Sequence, residues 1–124
     1  MRPKVLLYCL GIDSEKGRLL RGVLCEQKLL TLDVDEKQLG EKVGRLAATN
    51  AAAEGARAPE SIPREEFMLL CGLGGRQLDR LLAAMRRAGV SVPYKAVLTD
   101  TNREWTLCKL IEAVVHEHEM MKKQ

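Results

Sequence analysis

Aromatic residues are scarce, with one Trp, two Tyr and one Phe in 124 residues. So few rings offer little stacking surface for unpaired bases, and a formal net charge of +3 is small for a phosphate binder. The charges are also spread evenly, 10 basic against 9 acidic up to residue 62 and 10 against 8 beyond it. That excludes a basic tail or an acidic arm. Long apolar runs are missing as well. The longest, Val5 to Leu10 and on to Ile12 through Gly11, falls far short of the ~20 residues of a membrane span. Arg2 and Lys4 imitate the start of a secretory leader, but Asp13, Glu15 and Lys16 stand where a small-residue cleavage site would be needed. The run is therefore expected to be a strand of the mature protein. Cys9, Cys25, Cys71 and Cys108 are far apart and form no Cys-x-x-Cys or Cys/His cluster, so neither a disulfide framework nor a zinc knuckle is expected. These absences point to a cytoplasmic protein with no membrane segment, no metal and no cofactor.

What is present, 46% hydrophobic and 30% charged residues, suits a globular chain, and 124 residues suit a single domain over 1–124. The chain also resembles itself. Residues 4–10 (KVLLYCL) match residues 66–72 (EFMLLCG) 62 positions on, so that Cys9 falls on Cys71. Leu19, Leu20 and Val23 then fall on Leu81, Leu82 and Met85. A second apolar run, Leu29 to Val34, corresponds to Tyr94 to Thr99, and Leu39, Val43 and Leu46 to Leu107, Ile111 and Val114. Each half, 1–48 and 65–124, reads strand, helix, strand, helix, and residues 49–64, rich in Ala, Gly and Pro, read as a mobile linker.

The helices are supported by period and caps. Asp13 or Ser14 can cap the first, and Leu78, Leu81, Leu82, Met85 and Ala88 form one stripe of the third, which Gly89 stops. Thr101-Asn102-Arg103-Glu104 has the form of a capping box opening a last helix that runs to about Lys122. The helix around Val43 is weakened by Gly40 and Gly44, each costing about 1 kcal/mol. Alternation of this kind predicts a four-stranded, mostly parallel α/β sheet with helices on both faces, in the order 2-1-3-4. A ferredoxin-like α+β arrangement is the alternative.

From Phe67 onward the chain resembles domain-of-unknown-function family 3783, a group of small, mostly bacterial proteins. The resemblance is carried by Lys95-Ala96-Val97-Leu98-Thr99, by Asn102 and Trp105 in a Thr-x-x-Asn-x-x-Trp pattern, and by Glu117-His118. It implies an α/β fold and brings no catalytic or binding residue with it.

In a parallel sheet, ligands bind beyond the carboxyl ends of the strands where the order reverses. For order 2-1-3-4 that crevice would gather Asp13 and Ser14, then Gly72, Gly74, Gly75 and Arg76, and then Thr99, Asp100, Thr101 and Asn102. The glycine-rich turn opens a helix, so its amides and Arg76 could cradle a small anion, although three glycines making a tight strand-to-helix turn and a cap is the better explanation. Trp105 lies about 160° round the last helix from Leu107, within reach of a cation–π contact from Lys109. Together with His118 and Met121, at the end of a helix expected to outrun the sheet, these residues suggest a surface for a protein partner or a homodimer. His116 and His118 face apart and cannot share a metal. Cys9 and Cys71 are expected to be small buried hydrophobes, and Cys25 an exposed thiol. Arg76, Arg80 and Arg87 form an outward stripe best read as a solvated face. The leading expectation is a non-enzymatic binding module for a protein or small anion; the alternative is a small hydrolase or transferase using Asp13, Ser14, Asp100 or Arg76 in the same crevice.

Overall fold

A computed structural model describes residues 3–48 and 62–122. The greater part of the expected linker lies outside the described residues. Strand β1 (Lys4–Tyr8) leads to helix α1 (Glu15–Glu26), β2 (Leu30–Val34) and, after a 3-10 turn at Glu36–Gln38, the short helix α2 (Val43–Ala48). The second half repeats this order in β3 (Phe67–Cys71), α3 (Gly75–Ala88), β4 (Tyr94–Val97), a 3-10 turn at Asn102–Glu104 and α4 (Leu107–Lys122).

The strands form one sheet in the order β2-β1-β3-β4, with helices on both faces. β1 is parallel to β2 and β3 to β4, as short strand-helix-strand connections require. The central pair, β1 with β3, is antiparallel. Alternate residues of the central strands feed two cores. Leu6, Tyr8, Phe67, Leu69 and Cys71 pack with Val43, Leu46, Leu107 and Ile111 beneath α2 and α4, while Val5, Leu7, Met68 and Leu70 pack with Leu20, Val23, Leu81 and Met85 beneath α1 and α3. β1 and β3 are buried at every position, which explains their unbroken apolar runs. Each fully buried leucine or phenylalanine contributes about 1.5–3 kcal/mol.

Lys4 opens β1 yet is only 5% exposed. Its ammonium donates to Ala47 O (2.8 Å), at the carboxyl end of α2, where a cation is favoured by the helix dipole and a free carbonyl needs a donor. α2 and α4 meet at their amino ends. Val43 N donates to Trp105 O (2.9 Å) and Leu107 N to Glu41 O (3.0 Å), with Lys42 and Thr106 bridging between them. Each segment thus supplies a carbonyl to an amide at the start of the other's helix.

Pairing fixes a correspondence that differs from the sequence match by one residue. Lys4, Leu6 and Tyr8 occupy the places of Phe67, Leu69 and Cys71, 63 apart instead of 62. Cys9 accordingly corresponds to Gly72, not to Cys71. Both follow their strand in the left-handed region, at φ 59° and 73°. Cys9 is exposed, contrary to expectation, because it has left the strand; Cys71 is buried, as expected, because it has not.

The last helix also starts later than expected. Thr101 caps nothing with its side chain. Thr106 does so instead, its Oγ1 accepting from Lys109 N (3.2 Å), because Asn102 is drawn back towards β4 and Trp105 is extended. Gly89 ends α3 at φ 73° as expected.

Candidate functional site

Strand direction decides where the loops lie. Because β1 and β3 run oppositely, residues 9–14 after β1 emerge at one end of the sheet and residues 72–76 after β3 at the other. The single crevice expected from a parallel sheet is therefore divided. Asp13 and Ser14 are separated from Arg76 and Asp100 by the length of the strands, so these four cannot act on one substrate.

The parallel pairing of β3 with β4 does bring residues 72–76 and 99–102 to a common end. Leu98 N still donates to Leu70 O (2.9 Å), holding the start of this rim together. Asn102 is 8% exposed and committed to the turn. Its Oδ1 accepts from Thr99 N (2.9 Å), its Nδ2 donates to Val97 O (3.0 Å), and its own amide donates to Thr99 Oγ1 (3.0 Å). Asn102 and Thr99 thus hold the turn, leaving Asp100 and Thr101 exposed beside it. An equivalent turn follows β2, where Gln38 Oε1 accepts from Asp35 N (2.8 Å) and Asp35 Oδ1 accepts from Lys37 N (2.8 Å). At the start of α3, Gly74 occupies the cap position without a side-chain bond, and Gly74, Gly75 and Arg76 are all exposed. A Cβ at Gly74 or Gly75 would meet nothing within 4 Å, so crowding is not what requires glycine there.

At the opposite end Ser14 is a helix cap. Its Oγ accepts from Gly17 N (2.9 Å) and donates to Gly11 O (2.9 Å). Arg18 Nη1 lies 3.3 Å from the carbonyl oxygens of Ile12 and Asp13. Arg21 donates to Leu10 O (2.8 Å) and Gly17 O (3.0 Å), and pairs with Asp33. Cys9, Ile12, Arg21, Asp33 and Asp35 line a cavity of about 370 Å³ there. This grouping was not foreseen, since Arg21 and Asp33 are joined only by the fold and no local motif marks them.

Thiol chemistry is discouraged at three of the four cysteines. Although Cys9 is exposed as a residue, partial desolvation of its thiol pushes it up, against the opposing hydrogen bond from Tyr8 and the charge of Arg64. Burial raises Cys71 to about 11 despite Lys4, and burial with the neighbouring Glu112 raises Cys108 to about 11. All three are held as thiols at neutral pH, the weakly nucleophilic form. Cys25 is exposed, as expected.

On α4 the expected contact exists, with Lys109 Nζ 4.7 Å from the centre of the Trp105 ring. Trp105 packs half-buried against the core beneath α4. His118 is also half-buried, edge-on to Tyr94 at 5.1 Å between centroids. Met120 and Met121 are 50% and 75% exposed. A second groove, about 400 Å³, runs between residues 62–65 and α4, lined by Glu65, Glu112, His116 and Glu119. Among the described residues no group of three or more His, Cys, Asp and Glu side chains is placed to hold a metal ion, and no helix is long and apolar enough to cross a membrane.

These features define a mixed four-stranded α/β protein whose strand ends form two separate rims. Residues 66–121 match the model of a family described as "Domain of unknown function (DUF3783)". The match runs from the residue before β3 to the last turn of α4 and contains the Thr-x-x-Asn-x-x-Trp pattern on which the resemblance was drawn. No curated protein and no solved structure matches the chain.

Proposed function

We propose that the protein is a cytoplasmic, non-enzymatic interaction module, a single domain made by doubling one β-α-β-α unit, and that it binds a protein partner through the end of α4. The observation that carries this reading is the exposure of Met120 and Met121 on the last turn of a helix that outruns the strands. Sixteen residues of helix span about 24 Å and five residues of strand about 17 Å. Methionine is flexible and polarizable, suited to adapting to an apolar surface. The raised thiols of Cys9, Cys71 and Cys108 favour binding over cysteine catalysis. The test places a photo-reactive side chain at position 121 in living cells. One discrete adduct, lost in Met120→Lys/Met121→Lys at unchanged melting temperature, supports the reading; an indiscriminate smear, or no adduct, opposes it.

A second reading, a small anion at the start of α3, is favoured by the uncapped, exposed turn at Gly74–Gly75 beside Arg76. Phosphate or sulfate would then raise the melting temperature, and Arg76→Ala would reduce the rise. Equal rises in both proteins would mean that Arg76 takes no part.

A further inference from the structure

The contact between the two halves has the form of a two-fold dimer interface. In such a contact residue i of one unit meets j of the other while j meets i. Lys4 faces Cys71, and Phe67, which holds Lys4's place in β3, faces Tyr8, which holds Cys71's place in β1; Leu6 faces Leu69 at the centre. The helical layer obeys the same rule 64 residues apart. Val43 N bonds Trp105 O, Leu107 N bonds Glu41 O, and Lys42 bridges Thr106 between them. A single unit standing alone would leave one edge of β3 without hydrogen-bond partners and would expose Phe67, Leu69, Leu107 and Ile111, all at most 1% exposed here.

We infer that the β3 edge of the segment matching the family, with the adjoining start of α4, is a dimerisation surface whose partner is a second copy of the β-α-β-α unit. Residues 3–48 are that second copy, supplied within the chain. The inference rests on the doubling proposed above and is independent of the methionines of α4. It implies that the halves also find one another between chains when they cannot do so within one.

The structure provides a way to impose that condition. Lys4, at the start of β1, binds Ala47 O (2.8 Å), and Tyr8, at its end, binds Pro63 O (2.6 Å). The two bonds anchor Ala47 and Pro63 to opposite ends of β1, whose first and last Cα stand about 13 Å apart. Deleting residues 50–61 leaves one residue between Ala48 and Ile62, which spans about 7 Å. So short a connection favours pairing between two chains over pairing within one. Ion pairs cross between the halves at Lys16–Glu66 (2.7 Å) and Lys42–Glu104 (3.4 Å), and both can be fused by carbodiimide coupling.

The experiment refolds an equal mixture of isotopically heavy and light deletion chains, couples them, and reads the linked peptides by mass spectrometry. The expected result is a particle of twice the mass given by the intact chain in light scattering, with about half of the Lys16–Glu66 and Lys42–Glu104 peptides joining a heavy to a light chain. In the intact protein the same peptides are isotopically pure. Pure peptides from the deletion variant, or an unfolded single chain, overturn the inference. A permuted chain, with residues 62–122 placed before 3–48 on a long Gly/Ser tether, gives an independent check. It should show both couplings, and their absence overturns the inference as well.

Discussion

Alanine at two glycines of α1 is expected to change stability in opposite directions. A Cβ built on Gly17 lies 2.0 Å from Gly11 O, 2.9 Å from Gly11 C and 2.8 Å from Ser14 Oγ. Ordinary carbon contacts begin near 3.5 Å, so the loop over α1 has to retreat by about 1 Å or more. That retreat strains the bonds that fix the loop, from Ser14 Oγ to Gly11 O, Gly17 N to Ser14 Oγ and Ser14 N to Gly11 O. Losing the cap costs about 0.5–2 kcal/mol and overpacking about 1–3 kcal/mol, against about 1 kcal/mol gained from helix propensity. Gly17→Ala is therefore expected to destabilise by about 2 kcal/mol. Five residues along, a Cβ at Gly22 meets nothing within 4 Å, so Gly22→Ala keeps only the propensity gain of about 1 kcal/mol. With a urea dependence of about 2 kcal/mol/M, the first midpoint falls by about 1 M and the second rises by about half that. If both variants move the same way, the loop does not sit on Gly17 as described.

Three further outcomes follow from the same contacts. Gly72→Ala places a side chain at φ 73° and should destabilise by about 1–2 kcal/mol, whereas Cys9→Gly, at φ 59° in the equivalent place, should stabilise; chemical denaturation reads both signs. Asn102→Ala should cost about 2–3 kcal/mol, since it removes partners from Thr99 N and Val97 O. Wild-type melting behaviour in that variant would mean that Asn102 is not holding the turn. The Cys71 thiol, raised by burial from 9.0 to about 11, favours the neutral folded form. Its contribution of about 2–3 kcal/mol is complete below pH 9 and lost as pH rises towards 11. Cys71→Ala should reduce the fall of stability over that window, the rest of it belonging to Cys108 and Cys9, and an unchanged slope would contradict the assignment.

Much of the fold was readable because each half carries unambiguous local signals. The Leu78 to Ala88 stripe with Gly89 behind it marked α3, and the short connections within each half enforced parallel pairs. The direction of β3 relative to β1 was not readable, since residues 49–64 have no periodic pattern to say at which end of the sheet the chain returns. The one-residue error in matching the halves has a related cause. Val5 to Tyr8 and Phe67 to Cys71 are buried on both faces, so no alternation fixed their phase, and the shared cysteine drew Cys9 onto Cys71. At the rims, Ser14, Thr99 and Asn102 carried the right chemistry for a ligand but spend it on the backbone, a use common to these residue types. Arg21 with Asp33, and Glu65 with α4, had no sequence signal at all, because only the tertiary fold brings them together.

Backbone contacts across the centre of the sheet, measured by nuclear Overhauser spectroscopy on the labelled protein, test the two-rim architecture most directly. The account predicts that Lys4 lies against Cys71 and Tyr8 against Phe67, with Leu6 against Leu69 between them. Finding Lys4 against Phe67 and Tyr8 against Cys71 would make the pair parallel, reunite the loops at a single rim and contradict it.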